Sequence, residues 1–527
     1  NILLNGNVTN NANMYTQGTL TTGSLTNTKE IQSSGNVLIN GGLTNTGELL
    51  TNGKILAKNT NNSGTIYSGG TLGSDNLINS GIIQSIGSIS TNGNLINTQK
   101  ILTDGKVTVL GNTTNDGEIY SKSDYLTNNL TNRGILQSGE NIKATDSLKN
   151  DGELQATNKL EVTGIEFKNT GKILADNISG RVITTTNDGK IIGSSSIVIN
   201  SQTLNNTKEI LSNGDITLKS STTNSGLIST NGNIDMSGNN VLNSGDIESS
   251  NVNLKNTNLT NSGVITGNGN VELDNSIVTN TREILAYDTV NMNSSNISNN
   301  GKVLSNNKVN LDNSNVSNSG EISSNEINMR DVSGYTNTGT IKGNYTTLTT
   351  SNDINLVGTL HGENSLEIKG RNIINNGVTT GTGYIGITSN DFTNNRELSS
   401  EGIEIKASGN VLNNSMITAK NAEILGNNIT NNDLIATEQY LGLKAQNQVI
   451  NAPGKAIYAG DNLVIRGNEV LNQRGDVLGQ GTIDIQGNNV RNEVGTIETS
   501  GDILIKSQNF ENVGEVTNLD DYDLYWE

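Results

Sequence analysis

The stretch Leu43-Thr44-Asn45-Thr46-Gly47-Glu48-Leu49 returns along almost the whole chain and sets the pattern of the sequence. Residues Leu148–Leu154 and Leu259–Ile265 are clear copies, each with asparagine in the third position and glycine in the fifth. Successive copies lie 17 to 21 residues apart in a chain of 527 residues. A period of about 20 residues is typical of a solenoid, because one repeat cannot bury its apolar side chains alone and must stack on its neighbours.

The composition would be typical of a disordered linker if the period were ignored. Only 31% of the residues are hydrophobic and 3% aromatic, against about 45–50% apolar residues in ordinary globular domains. Leu, Ile and Val nevertheless keep a two-residue alternation within the repeats, which a disordered tract has no physical reason to retain. We therefore predict one continuous folded domain over residues 1–518.

The charge and the rare residue types exclude several classes of function. A net charge of −18, from 51 acidic and 33 basic residues spread thinly, leaves no basic stripe for a nucleic acid. With no cysteine and a single histidine, the chain lacks the residues of disulfides and of the usual zinc sites. The sequence contains no phosphate-binding loop and no calcium-binding nonapeptide repeat. We therefore expect no nucleic-acid partner, no metal, no cofactor and no catalytic residue.

Each repeat holds three short segments of alternating apolar residues. Around Asn27 they are residues 25–27, 31–33 and 37–39, with Gly35 at one of the bends. Because side chains two positions apart point to the same face of a strand, about six of them per repeat point inward. We predict an all-β fold, a single-stranded parallel β-helix of about 28 coils of 17–21 residues, with three short strands in each coil.

The asparagine of each repeat is predicted to stack on its equivalents in a structural ladder. Asparagine tolerates the left-handed turn conformation, and identical amides stacked in register can hydrogen-bond from one coil to the next. The glycine two positions later, as at Gly47 and Gly81, would suit a positive φ. The residues of the predicted ladder are Asn27, Asn45, Asn79, Asn97, Asn132, Asn150, Asn169, Asn206, Asn243, Asn261, Asn280, Asn318, Asn394 and Asn512.

Two further residue types indicate which positions face inward and which face outward. Phe167, Phe392 and Phe510 each lie two residues before a ladder asparagine, where most coils have Leu, Val or Ile, so we predict that they are core residues. An aromatic platform for a sugar would instead place its rings on an outward face. At Lys29 and Lys208 a long basic side chain replaces the glycine, which indicates that this position faces solvent.

The pattern is least regular at residues 344–391, which contain His361, the single histidine, and Tyr384 in a glycine-rich segment. We predict irregular coils there, with His361 and Tyr384 as possible receptor contacts. Residues 432–518 are predicted to form longer coils, because a residue is inserted between the asparagine and the glycine. Residues 519–527 leave the pattern and are either the end of the repeats or the start of another region. The chain begins in mid-pattern, so we expect it to be part of a longer protein.

The repeat, written apolar-x-Asn-x-Gly-x-Ile-x-Ser/Ala-x-Gly-x-Ile-x-Ile, resembles the haemagglutinin repeat of the filamentous haemagglutinin family of two-partner secretion exoproteins. That family includes the contact-dependent growth inhibition toxins of the CdiA type. The resemblance extends over residues 5–518. It implies a right-handed parallel β-helix, export through a dedicated outer-membrane β-barrel transporter, and display as a filament on the cell surface of a Gram-negative bacterium.

The expected function is non-enzymatic: a structural shaft that is secreted, displayed at the surface and projects a tip toward a receptor on a host or neighbouring cell. The sequence leaves open whether the tip is adhesive or delivers a toxin. A carbohydrate-active β-helical enzyme, a polysaccharide lyase or hydrolase, is an alternative that clustered carboxylates with Lys or Arg on one face would favour. A third hypothesis places a receptor site within the shaft, at residues 344–391.

Overall fold

The computed structural model describes residues 1–515, which form 64 β-strands and no helix. The chain divides into two compact units, Asn1–Asn268 and Gly269–Glu527, and in each unit parallel strands stack as a β-solenoid. The strands make about 27 turns, which confirms the predicted all-β parallel fold. Within the described residues no helix could span a membrane. The predicted end of the repeats at residue 518 and the segment 519–527 lie outside the described residues.

Each regular coil has three walls, illustrated by the strands Gly42–Asn45, Glu48–Thr51 and Ile55–Asn62. The first wall ends at the ladder asparagine, the second wall follows the turn after it, and the third wall leads back to the first wall of the next coil. The strand Ile55–Asn62 is long enough to form a third wall and the following first wall without a break. Equivalent residues of successive coils pair in parallel, as in Asn45 with Asn62.

Several strands turn a corner in this way and carry more than one wall. In the first unit they include Tyr125–Asn132, Asn141–Asn150, Lys159–Asn169, Lys172–Asn187 and Lys190–Asn206. In the second unit they include Thr340–Thr349, Thr359–Lys369, Leu398–Ala407, Ile417–Asn431, Leu441–Asn451, Ile483–Glu493 and Ile503–Val513.

The core of each unit is a column of mainly aliphatic side chains to which all three walls contribute. Leu43, Leu49 and Ile55, from the three walls of one coil, are all buried. The small residue that ends many second walls also faces inward, and the hydroxyl of Ser85 lies 2.9 Å from both Gly70 O and Gly87 O. This corner is therefore narrow and polar, since the hydroxyl satisfies carbonyl groups that the bend leaves without strand partners.

The phenylalanines divide into two that are core residues and one that is not. Phe167 and Phe392 are fully buried, as predicted. The prediction for Phe510 is wrong, because its side chain is 50% exposed. Phe510 pairs with Val490 of the preceding coil, but it lies in the last coil that the structure describes, and no described coil covers its other side.

The glycine two positions after many ladder asparagines lets two backbones approach closely and has no positive φ, so the prediction of a positive φ is wrong. Among the described residues, the glycines with positive φ are Gly164, Gly238 and Gly454. At Gly47 an added Cβ would lie 2.0 Å from the carbonyl oxygen of Lys29 in the preceding coil. The Lys29 side chain itself is exposed, which confirms that the long basic residues at this turn face solvent.

The expectation of a left-handed conformation for the ladder asparagines is also wrong. The non-glycine residues with positive φ are instead found at the corner between the third and first walls, as at Asn275 and Asn313. They also occur in the wider turns near the end of the second unit, at Arg474 and Val494. In these turns the ladder amide Asn472 Nδ2 donates to the carbonyl three residues later, whereas in regular coils it reaches the carbonyl two residues later.

We expect Gly47→Ala to destabilise the first unit by about 1–3 kcal/mol, because the new methyl group would overlap the backbone of the preceding coil. Urea unfolding followed by circular dichroism measures the change. Gly42→Ala is the matched control, since the nearest atom to its added Cβ is 3.8 Å away. Equal unfolding midpoints for the two variants would show that backbone approach does not explain the glycine.

Candidate functional site

The ladder asparagines hydrogen-bond to one another inside each unit. Asn45 is fully buried, and its Nδ2 donates to Asn62 Oδ1 at 2.8 Å. The same nitrogen reaches Gly47 O in its own turn and Thr65 O in the next coil, both at 3.0 Å. The amide thus ties its own turn and the following coil together, and it leaves no free group with which to bind a ligand.

These side-chain bonds run without interruption through the first unit and form two runs in the second. Successive asparagine bonds of 2.7–2.9 Å join Asn10 to Asn261 in the first unit. In the second unit they join Asn280 to Asn337, and then Asn375 to Asn512. Each residue of the predicted ladder lies in one of these three runs.

The gap in the second unit is caused by Leu356, which occupies the ladder position and pairs with Asn375 of the following coil. Leu356 is buried and offers no amide. The Oδ1 of Asn375 instead accepts a hydrogen bond from Thr379 Oγ1 at 2.9 Å. Thr379 is buried at a position where its neighbours in the adjacent coils, Leu360 and Leu398, are apolar. A hydroxyl group in the core thus replaces the missing amide donor.

His361 lies on the outer face of the second wall, within the irregular stretch. Its Nδ1 lies 3.0 Å from Thr380 Oγ1 in the next coil, and its Nε2 lies 3.1 Å from Glu363 Oε2. The hydrogen bond from the His361 ring, followed by one from Thr382, holds the pKa of Glu363 below its usual value. Both ring nitrogens are therefore engaged by neighbours, and the imidazole is only 20% exposed.

Tyr384 begins the strand Tyr384–Ser389 on the third wall and does not meet His361. Its hydroxyl donates to Glu404 Oε2 at 2.7 Å. Burial, together with this hydrogen bond to the Glu404 carboxylate, raises the pKa of Tyr384 to about 12. The structure thus places the two predicted contact residues on different walls, and within residues 1–515 no hydrogen bond joins them.

The second wall of the first unit carries a row of outward side chains that the single-coil repeat did not predict. Paired register relates each member to the next, from Tyr15 in an early coil to Leu211. None of these side chains carries a charge. We define the outer row as Tyr15, Gln32, Leu50, Tyr67, Gln84, Leu102, Tyr120, Gln137, Gln155, Leu174, Ile192 and Leu211.

The first part of the outer row repeats with a period of three coils. From Tyr15 to Gln137 the order is Tyr, Gln, Leu, and equivalents lie 52 or 53 residues apart. A search for periods longer than one coil would have found this signal. Part of the row lines a shallow open groove of about 600 Å³, in which Gln84, Leu102 and Tyr120 contribute side chains.

A second groove, of about 630 Å³, follows the same wall of the second unit. Its lining includes Glu401, Lys420 and Glu438, all of them exposed, together with Tyr458. One lysine beside two carboxylates offsets part of their negative charge on a solvated surface. Within the described part of the chain, no three His, Cys, Asp or Glu side chains are placed so that they could hold a metal ion.

The haemagglutinin repeat family matches four segments of the chain, residues 53–123, 211–263, 250–301 and 419–507. Together these segments cover just under half of the sequence. They support the filamentous haemagglutinin repeat family. No curated protein and no solved structure is significantly similar to the chain.

We expect Thr379→Val to lower the local stability of the irregular stretch by about 1–3 kcal/mol, because the buried Asn375 Oδ1 would lose its donor. Adding Leu356→Asn should restore most of the loss, since the new amide can donate to the same oxygen. Amide hydrogen exchange of residues 354–398 measures both changes in the full chain. A double variant no more stable than Thr379→Val would show that Thr379 does not compensate for the gap.

Proposed function

We propose, from the haemagglutinin repeats and the solenoid fold, that this chain is the structural shaft of a filamentous adhesin or contact-dependent inhibition stalk of the CdiA type. In this proposal the shaft is secreted, is displayed on the surface of a Gram-negative bacterium, and projects a binding or toxin-delivery tip. Haemagglutinin repeats in a β-solenoid fit a filamentous adhesin shaft, and the family suggests a structural adhesin rather than an enzyme. The family also suggests a secreted bacterial surface protein.

The single observation that carries this proposal is the buried amide ladder that joins Asn10 to Asn261 within the first unit. A shaft must resist bending and local opening without a large globular core. Because each ladder amide bonds to the next coil, every coil contributes to holding its neighbours. No Asp, Glu, Lys or Arg side chain is among the buried residues of the described part of the chain, so no buried charge weakens this interior.

The same stacking supports a mechanism for export. The haemagglutinin repeat family is generally associated with two-partner secretion, so we propose an outer-membrane β-barrel transporter as the partner. A coil that emerges from the transporter can stack on the coil before it and gain backbone and amide hydrogen bonds at once. Folding outside the cell, coil by coil, would then hinder backsliding of the chain and favour transport in one direction.

We expect the triple variant Asn224→Phe, Asn243→Phe and Asn261→Phe to show reduced surface display, because each substitution removes ladder bonds and overfills the core at a cost of about 1–3 kcal/mol. Display is measured by antibody labelling of intact producing cells, with total protein measured in lysates.

The matched control places the same three phenylalanines one residue earlier, at Thr223, Leu242 and Thr260, whose side chains are exposed. This control introduces the same three aromatic side chains in the same strands and leaves the ladder intact. If the ladder variant is displayed as well as the control, stacking of coils is not what drives export.

A second candidate function, a receptor site within the shaft, is favoured by the interruption at Leu356. The ladder gap, the histidine and the aromatic residue of residues 344–391 come from the stretch in which the repeat is weakest, and Tyr384 is 37% exposed. Stacking would otherwise preserve the repeat in this stretch. The loss of the repeat here therefore leaves room for a binding role. We propose His361 and Tyr384 as contacts for a receptor on a host or neighbouring cell.

Replacing residues 338–394 with a copy of residues 281–337 tests this second candidate, since both segments contain 57 residues. The copy supplies three regular coils with asparagine at each ladder position, so the solenoid should be retained. We expect the exchange to abolish binding of the purified protein to its target cells, measured by flow cytometry. Unchanged binding would place the receptor site elsewhere.

A further inference from the structure

We propose that the groove on the outer row of the first unit binds a neutral, linear polysaccharide that lies along the solenoid axis. This inference concerns the first unit alone and does not depend on whether a tip or a receptor site exists elsewhere. It rests on the absence of charge, the types of side chain, their spacing and the concave surface.

The groove presents no net charge to a partner. None of the twelve members of the outer row is Asp, Glu, Lys or Arg, although 16% of the chain is charged. The charged side chains that line the groove, Asp104 and Lys122, form an ion pair of 2.7 Å with each other. Lys100, which lies beside the Tyr120 ring, is likewise paired with Glu118 at 3.2 Å. An acidic polysaccharide, a nucleic acid or an anionic membrane would therefore meet cations that carboxylates already neutralise.

The side chains of the groove match the two chemical faces of a sugar. The ring of Tyr120 and the side chain of Leu102 offer flat or apolar surfaces for the C–H groups of a pyranose. The amides of Gln84 and Gln137 offer both donors and acceptors for hydroxyl groups. Lys100 lies 5.5 Å from the centre of the Tyr120 ring, which orients the ring from one side.

The spacing of these residues suits a polymer of regular units. Each coil contributes one member of the outer row, and neighbouring parallel strands lie about 4.8 Å apart. One pyranose of an extended polysaccharide is similar in length to this step. The Tyr-Gln-Leu order would then place an aromatic contact under every third sugar.

The shape of the site favours a thin polymer over two other occupants. The groove is concave and has a volume of about 600 Å³, within the usual range for ligand sites, a shape that a thin chain can follow more closely than the flat wall of a second copy. An extended peptide would bind by hydrogen bonds to free backbone groups at a sheet edge. The second-wall strands that line the groove, such as Lys100–Thr103 and Glu118–Ser121, are instead paired along their length with strands of adjacent coils.

The test is retention of the full-length chain by affinity electrophoresis in gels containing neutral polysaccharides, namely β-glucan, xylan and mannan, with polygalacturonate as the acidic comparison. We expect retention by at least one neutral polymer that does not weaken with added salt. Tyr120→Ala should weaken it about two- to tenfold, as expected for the loss of one aromatic contact. Tyr120→Phe should retain most of the affinity.

Tyr287→Ala is the matched control, since Tyr287 is 71% exposed in the second unit and lies outside the outer row. Circular dichroism shows whether each variant keeps its β-structure. Absence of retention by every neutral polymer, or equal retention of Tyr120→Ala and Tyr287→Ala, would overturn the proposal. Self-association of the wild-type chain that Tyr120→Ala abolishes, measured by sedimentation, would assign the groove to a second copy instead.

Discussion

A buried asparagine amide must find acceptors for its N–H groups and a donor for its oxygen, and in this chain most of those partners belong to adjacent coils. Asn45 illustrates the constraint, because its nitrogen reaches Asn62 and Thr65 in the next coil and its oxygen accepts from Asn27 in the coil before. An isolated coil would leave these groups unpaired inside an apolar interior, at a cost that no single coil can offset. The stacked fold depends on this mutual requirement, and the regular spacing of the repeat follows from it.

The fold could be predicted from the sequence because burial imposes the same demand on every coil. Leu43, Leu49 and Ile55 recur as apolar positions since each must face the same column of side chains. The backbone details could not be predicted in the same way. That Gly47 is needed for the approach of two backbones, and that positive φ occurs at Asn275 instead, depends on distances between coils that no single repeat encodes. The exposure of Phe510 likewise depends on what lies beside its coil.

The candidate site was only partly visible in the sequence. His361 stands out as the single histidine and Tyr384 by its place in a glycine-rich segment, and neither signal gives information about which wall a residue occupies. The gap at Leu356 can be recognised only from the strand pairing, because the asparagines on either side of that position keep the spacing nearly regular. Thr379 was hidden for a different reason, since threonine is common throughout the chain and its compensating bond to Asn375 joins residues that the repeat does not relate.

The outer row raises a question that stacking alone does not answer. A contact that is the same between every pair of coils favours the same residue in every coil, as the asparagine ladder illustrates. The order Tyr, Gln, Leu from Tyr15 to Gln137 instead has a period of three coils, and side chains on an outer face have no core to fill. Such a period has a physical reason if one partner contacts several coils at once and presents different groups to successive coils. The buried ladder is therefore constrained by contacts between coils, whereas the outer row is constrained by contact with a partner outside the fold.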